Sequence, residues 1–215
     1  DSVIHLWPAS TAMQVFLGEG DTITGVLKMP FGKVPYQGGR VGSNAADRQS
    51  IVRRRPPAQV DERIFSGGVD FNDYFRLMKR TEEQGEDWVS VCEELGDHDL
   101  QHAKDQLALG HRETARYFFQ SASAVYRIGQ YGLNDLTEEK TRIYNKILES
   151  TAQQAALSNP PWQEVHIPYK NYVMDGWLVV PQNTSEKAPV VIMISGATGF
   201  KEETLFMGQL WVARG

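Results

Sequence analysis

Apolar residues recur at three and four positions from Asp70 to about Leu157, the period of helices with one buried face. Phe71, Tyr74, Phe75 and Met78 form the first stripe, and Trp88, Val91, Cys92 and Leu95 the second, with Gly85 between them. Leu100, Ala103, Leu107 and Ala108 mark a further helix. After Gly110 another carries Ala115, Phe118, Phe119, Ala122, Val125 and Tyr126. Asp135-Leu136-Thr137-Glu138 has the spacing of a capping box, and Ile143, Tyr144, Ile147, Leu148 and Ala155 line the helix it opens. Residues 69–159 therefore read as a compact helical module.

Beyond Asn159-Pro160-Pro161 the period becomes two. Val165 and Ile167 alternate in one strand, and Val173 to Val180 reads as a hairpin turning at Asp175-Gly176, the residue pair a type I′ bend requires. Pro181 to Pro189 is a polar loop. Val190 to Ile194 is an unbroken run of five apolar residues, as expected of a strand buried on both faces of an α/β sheet. It leads into the small-residue turn Ser195-Gly196-Ala197-Thr198-Gly199-Phe200 and a helix with Leu205, Phe206, Leu210 and Val212. The first 68 residues are punctuated by Gly38-Gly39, Pro56-Pro57 and Gly67-Gly68. They contain one strand-like run, Thr22 to Leu27, and read as an extended arm.

Charge follows these divisions. Residues 1–68 carry eight Lys/Arg against six Asp/Glu, whereas 69–159 carry ten against sixteen. The overall charge of −5 argues against a nucleic-acid or anionic-membrane surface as the main activity. Arg53-Arg54-Arg55 stands beside prolines with no aromatic interleaving, which fits a solvated or partner-contacting loop. No apolar run is long enough for a spanning helix, and the first residues, Asp1 to His5, lack the basic-then-apolar layout of a secretory signal, so a soluble cytoplasmic protein is expected. Cys92, the single cysteine, excludes an internal disulfide and reads as core. His98 and His102 are one helical turn apart among aspartates, but a third ligand at a telling distance is missing, so no metal is assigned. His111, just past Gly110, reads as a surface residue.

Two features bear on chemistry. The turn after Ile194 presents free backbone N–H groups around Ala197 to Gly199, at the carboxyl end of a strand and the start of a helix, where an anion is stabilised. Tyr117, Phe118 and Tyr126 are either bundle core or the roof of an apolar substrate pocket.

The stretch Pro189-Val190-Val191-Ile192-Met193-Ile194-Ser195-Gly196-Ala197-Thr198-Gly199-Phe200-Lys201-Glu202-Glu203, with Leu210-Trp211-Val212-Ala213-Arg214-Gly215, resembles the α/β hydrolases. Within them it is similar to the branch of dihydroxy-pseudooxynicotine hydrolase and the polyketide-shortening hydrolases of pigment pathways. Gln120-Ser121-Ala122-Ser123-Ala124-Val125-Tyr126 in a helical region before the sheet is similar as well. The resemblance covers roughly residues 70–215. It implies an α/β fold with a helical lid before the first strands and no cofactor. The implied activity is hydrolysis of a carbon–carbon bond next to a ketone, or of an ester, by a Ser-His-Asp triad. Ala197 and Thr198 occupy the loop that supplies an oxyanion-hole N–H in that family. Relatives often carry an acidic residue where Thr198 stands.

The sequence has no Gly-x-Ser-x-Gly elbow, and none of His5, His98, His102, His111 or His166 stands at the family's catalytic position. The expectation is therefore the front part of a longer hydrolase: an arm at 1–68, a helical lid at 69–159 and the start of the core at 160–215, with the triad further on. The expected partners are a bulky, apolar small-molecule substrate, the remainder of the hydrolase domain, and a second copy through arm or lid. Two other functions fit the same residues: non-hydrolytic elimination, acyl transfer or cyclisation on this fold, and a non-catalytic binding or assembly module.

Overall fold

The computed structural model describes residues 3–6, 13–16, 64, 67–133, 136–182, 190–195 and 199–214. The Thr22 to Leu27 run, Arg53 to Arg55, Asp135, Ala197 and Thr198 lie outside the described residues. The chain divides into two compact units, Asp1–Ala46 and Asp47–Gly215. In the first, β1 (Val3–Leu6) pairs antiparallel with β2 (Met13–Phe16), in a register that sets Ile4 opposite Val15.

The second unit is built on helices. α1 (Phe71–Met78) starts at Asp70, whose carboxylate accepts from the Asn72 N–H at 2.7 Å, satisfying a donor the first turn leaves free. A π-helical turn, Lys79–Glu83, continues it, and Gly85 at φ +73 ends the segment. α2 (Trp88–Ala108) is capped by Asp87, which accepts from Ser90 N–H at 2.9 Å.

The stripes ending at Leu95 and starting at Leu100, expected on separate helices, lie on this one helix. Gly96 sits inside it because the Tyr126 ring packs there; a Cβ on Gly96 would stand 2.4 Å from that ring. α2 ends where a glycine is needed. Gly110 adopts φ +81, its N–H donates to Leu107 and the His111 N–H to Gln106, which satisfies carbonyls of the last turn.

α3 (Arg112–Gln130) is the centre of the module, with every residue from Ser121 to Gln130 buried. Small residues let its neighbours approach: a Cβ on Gly129 would meet the Cys92 Cβ at 2.9 Å. α4 (Glu138–Leu157) opens at Thr137 rather than Asp135, the Thr137 hydroxyl accepting from Lys140 N–H at 3.1 Å. α2, α3 and α4 pack in sequence order around Trp88, Phe119, Tyr126, Ile143 and Ile147. The Trp88 indole N–H is satisfied by the Ile128 carbonyl at 3.0 Å. Ile64, within the segment read as arm, is fully buried in this core.

β3 (Gln163–Tyr169) and β4 (Tyr172–Leu178) form an antiparallel hairpin. Its bend is at Lys170-Asn171, with Lys170 at φ 52, and not at Asp175-Gly176, which lies within β4. The register explains the shift: Gly176 faces Val165, and a Cβ there would be 3.2 Å from the valine Cγ2. The glycine serves close cross-strand approach instead of the turn. Trp162 and Leu205 join the end of α4, with Trp177 and Val179 packed beside them.

Val190 to Ile194 is not a strand here, and it is not buried: Val190 is 59% and Ile194 67% exposed. A strand exists through its ladder partners, and among the described residues none runs beside this segment. A 3₁₀ turn, Lys201–Thr204, then leads into α5 (Leu205–Val212). Leu205 is buried, while Met207, Leu210 and Trp211 are about half exposed. No helix among the described residues is long and apolar enough to cross a membrane.

Candidate active-site loop

Ser195 Oγ donates to the Phe200 carbonyl at 2.7 Å, which ties together the described residues on either side of 196–198. Gly199 is required by the closeness of that tie, since a Cβ there would lie 2.6 Å from the Ser195 Cβ and 3.2 Å from Glu203 Oε2. The Glu203 N–H donates to Phe200 at 3.1 Å and Thr204 Oγ1 to Lys201 at 2.8 Å, which winds the 3₁₀ turn. Ala197 and Thr198, assigned as backbone donors, lie between these two described ends.

The helical module grips the same turn. Lys201 Nζ stands 2.5 Å from Glu202 Oε1, 3.5 Å from the Tyr144 hydroxyl and 5.9 Å from the Tyr144 ring centroid. The Phe200 ring packs on Tyr144 with centroids 6.0 Å apart, and the Tyr131 hydroxyl donates to Glu203 Oε1 at 3.3 Å. Burial alone draws the Lys201 ammonium down, but the hydrogen bond and charge of Glu202, with Tyr144, more than offset it and leave it above its ordinary value. Glu202 is buried, and its second oxygen has no hydrogen-bond partner among the described residues. Lys201-Glu202-Glu203 belongs to the 189–203 motif, which does not show what holds these side chains. The signal available was an acidic pair at the first turn after a glycine; the partners, Tyr131 and Tyr144, come from distant positions.

The three aromatic residues considered for a substrate roof are not brought together. Tyr117 and Phe118 touch edge to face at 5.3 Å, and Tyr117, 46% exposed, donates to Asp70 at 2.6 Å. Tyr126 is fully buried and donates to Asp97 at 2.7 Å. Nine positions along a helix is about two and a half turns, so Tyr117 and Tyr126 point to opposite sides of α3.

His102 packs edge-on against Phe118, with ring centroids 4.4 Å apart, and His98 lies 3.5 Å from Asp99. Among the described residues no three His, Cys, Asp or Glu side chains converge as a metal site. Two cavities open elsewhere. One of about 400 Å³ includes Arg76, Arg80 and His98. The other, of about 430 Å³, lies by Trp162, Pro181 and Gln209. Neither is lined by Ser195 or residues 199–204.

Comparison with known proteins meets this geometry from two directions. A Penicillium citrinum protein named Alpha/beta hydrolase gkaG is 24% identical over 147 residues, which are 66% of this chain and 34% of that protein. The crystal structure of the 2,6-dihydroxy-pseudo-oxynicotine hydrolase aligns with a TM-score of 0.62 at 25% identity, over 71% of this chain and 42% of the hydrolase. The chain thus spans well under two thirds of each relative's length. No protein-family profile matches it. Both relatives are α/β hydrolases, and the solved one is the dihydroxy-pseudooxynicotine enzyme whose branch the 189–215 motif resembles.

Proposed function

We propose that this chain is the front part of a serine α/β-hydrolase-like enzyme, comprising its arm, helical lid and first core strands. The observation that carries the reading is the pinned turn after the apolar run. It occurs in a chain that aligns over 71% of its length with a solved hydrolase. The exposed apolar residues from Val190 to Ile194 support it too, because further sheet strands alongside them would complete the ladder and bury those side chains.

In the proposed reaction a serine from the remainder of the hydrolase domain attacks a carbonyl carbon. Its proton passes to histidine, and the Ala197 and Thr198 N–H groups receive the developing oxyanion. One such donor is worth about 3 kcal/mol in the transition state. The tetrahedral adduct collapses with loss of an alcohol from an ester, or of a carbon leaving group that histidine protonates from a ketone. Water then releases the acyl group from serine. Thr198 stands where an acidic residue is frequent in this branch, so the reaction here proceeds without a carboxylate at that position. The substrate class is a bulky, apolar ketone or ester, including polyketides and related secondary metabolites.

The test is turnover of p-nitrophenyl butyrate by the whole polypeptide that carries this chain, with Thr198→Pro as control. Threonine-dependent hydrolysis supports the reading. Hydrolysis that survives loss of the residue 198 N–H overturns the oxyanion role, and no hydrolysis of any activated ester or β-diketone overturns the activity.

A further inference from the structure

α1 seats Leu77, fully buried, and Tyr74 against the core, yet it exposes Phe71 and Phe75, each 62% accessible, and buries a carboxyl, Asp73, at 3%. The buried carboxyl meets another, Asp99 of α2, which is 1% accessible, and the two hydrogen-bond to each other. Two carboxylates in contact, both removed from water, cannot both hold a charge without a compensating cation. The groups facing the pair do not supply one adequately. On the α1 side stand Asp70, ionised and held below the usual carboxylate range by Tyr117 and Asn72 against the effect of burial, and Arg76, at 3.5 Å from Asp73 but more than half exposed. On α2, His98 lies 3.5 Å from Asp99 and faces solvent. On α3, the Ser121 hydroxyl bonds Asp99, and Tyr117, pushed up to about 12 chiefly by its hydrogen bond to Asp70, stays a neutral donor. Asp99 Oδ2 has no hydrogen-bond partner among the described residues.

We infer that residues 70–83 are a proton-operated clasp: one proton shared by Asp73 and Asp99 holds α1 on α2 and α3, and the clasp tightens as the medium is acidified below neutrality. Asp73 is the proton's principal holder, raised to about 7 by burial first, then by the Asp99 and Asp70 charges. Asp99 is raised as well, burial being the largest cause and the hydrogen bonds from Ser121 and Asp73 opposing it. When α1 lifts away, Asp73 returns to water and to an ordinary carboxylate value near 4. Between that value and about 7 the docked state binds more protons than the open one. Docking is therefore strongest near pH 4, weakens by up to about tenfold per pH unit toward 7, and is level above it. The inference is independent of the hydrolase reading, since it concerns the seating of the helical module's first segment.

Hydrogen exchange on this chain tests it. The opening equilibrium of amides 71–83, corrected for intrinsic exchange, is compared with that of amides 119–128 in the centre of α3 from pH 5 to 8. The expected result is a rise of about tenfold per unit between pH 5 and 7 in the first set alone, then a plateau. Asp73→Asn donates an amide hydrogen to Asp99 at every pH, and Asp99→Asn donates one to Asp73; each variant is expected to be flat. A pH-independent opening in the wild type, or an undiminished slope in both variants, overturns the inference.

Discussion

Ser195 Oγ and the Phe200 carbonyl meet at 2.7 Å, and a Cβ at position 199 would stand 2.6 Å from the Ser195 Cβ. Removing the hydroxyl with Ser195→Ala costs one hydrogen bond, about 1 kcal/mol. Gly199→Ala places a methyl group against Ser195 and Glu203 and costs about 1–3 kcal/mol of strain in the turn. The glycine substitution is expected to lower ester turnover of the whole enzyme at least tenfold with a smaller change in KM. Equal activity in Gly199→Ala would show that the turn's closure does not matter to catalysis.

The grip of the helical module on that turn gives a second expectation. Glu202→Gln leaves the part-buried Lys201 ammonium beside Tyr144 without its counter-charge, so the substitution is expected to destabilise the chain by about 1–3 kcal/mol. Lys201→Met together with Glu202→Gln is expected to recover part of that loss, because the uncompensated charge is gone. Chemical denaturation of the single and double variants measures the coupling, and strictly additive effects would contradict it.

In the core, the Trp88 ring is fully buried with its N–H on Ile128. Trp88→Ala is expected to cost about 3–5 kcal/mol. Gly96→Ala drives a methyl group into the Tyr126 ring and is expected to cost about 1–3 kcal/mol, although alanine is the better helix former. A Gly96→Ala variant with unchanged midpoint would overturn the packing argument.

His166 and Asp175 face each other across the hairpin at 2.7 Å. The hydrogen bond from the imidazole to Asp175 raises the His166 pKa above its ordinary value, so the pair's contribution is present below about 6.5 and is lost as pH rises through the raised value. Both side chains are solvent-exposed, and the effect is expected in the titration rather than in overall stability. Proton NMR of the His166 ring is expected to show a downward shift of its pKa in Asp175→Asn. The same shift in the wild type and variant would mean the pair does not persist in solution.

The helical half of the fold was legible from Phe71 to Ala155 because a 3.6-residue period survives whatever the helices pack against. The differences lie where a local signal had a distant competitor. The stripes ending at Leu95 and starting at Leu100 read as two helices, but they lie on one, with Gly96 inside it where the Tyr126 ring needs the space. Asp175-Gly176 has the composition of a turn, yet the register with Val165 sets it within a strand. Val190 to Ile194 has the composition of a buried strand, and composition cannot supply the neighbouring strands that make one. The motif from Pro189 to Glu203 pointed to the same hydrolase branch that the comparisons found. It was silent on how the turn is anchored, because Tyr131 and Tyr144 lie 72 and 57 positions from their partners. Tyr126 was weighed for a substrate roof and lies in the core, since its ring faces α2.

In the proposed function the segment between Ser195 and Phe200 serves a nucleophilic serine on the whole polypeptide that carries this chain. Incubating that polypeptide with a fluorophosphonate and measuring its intact mass tests the assignment. One covalent adduct is expected, on a serine in a Gly-x-Ser-x-Gly setting, with a rate of formation that falls in Gly199→Ala. A protein that stays unmodified, or is modified at a serine without effect of Gly199→Ala, would contradict it.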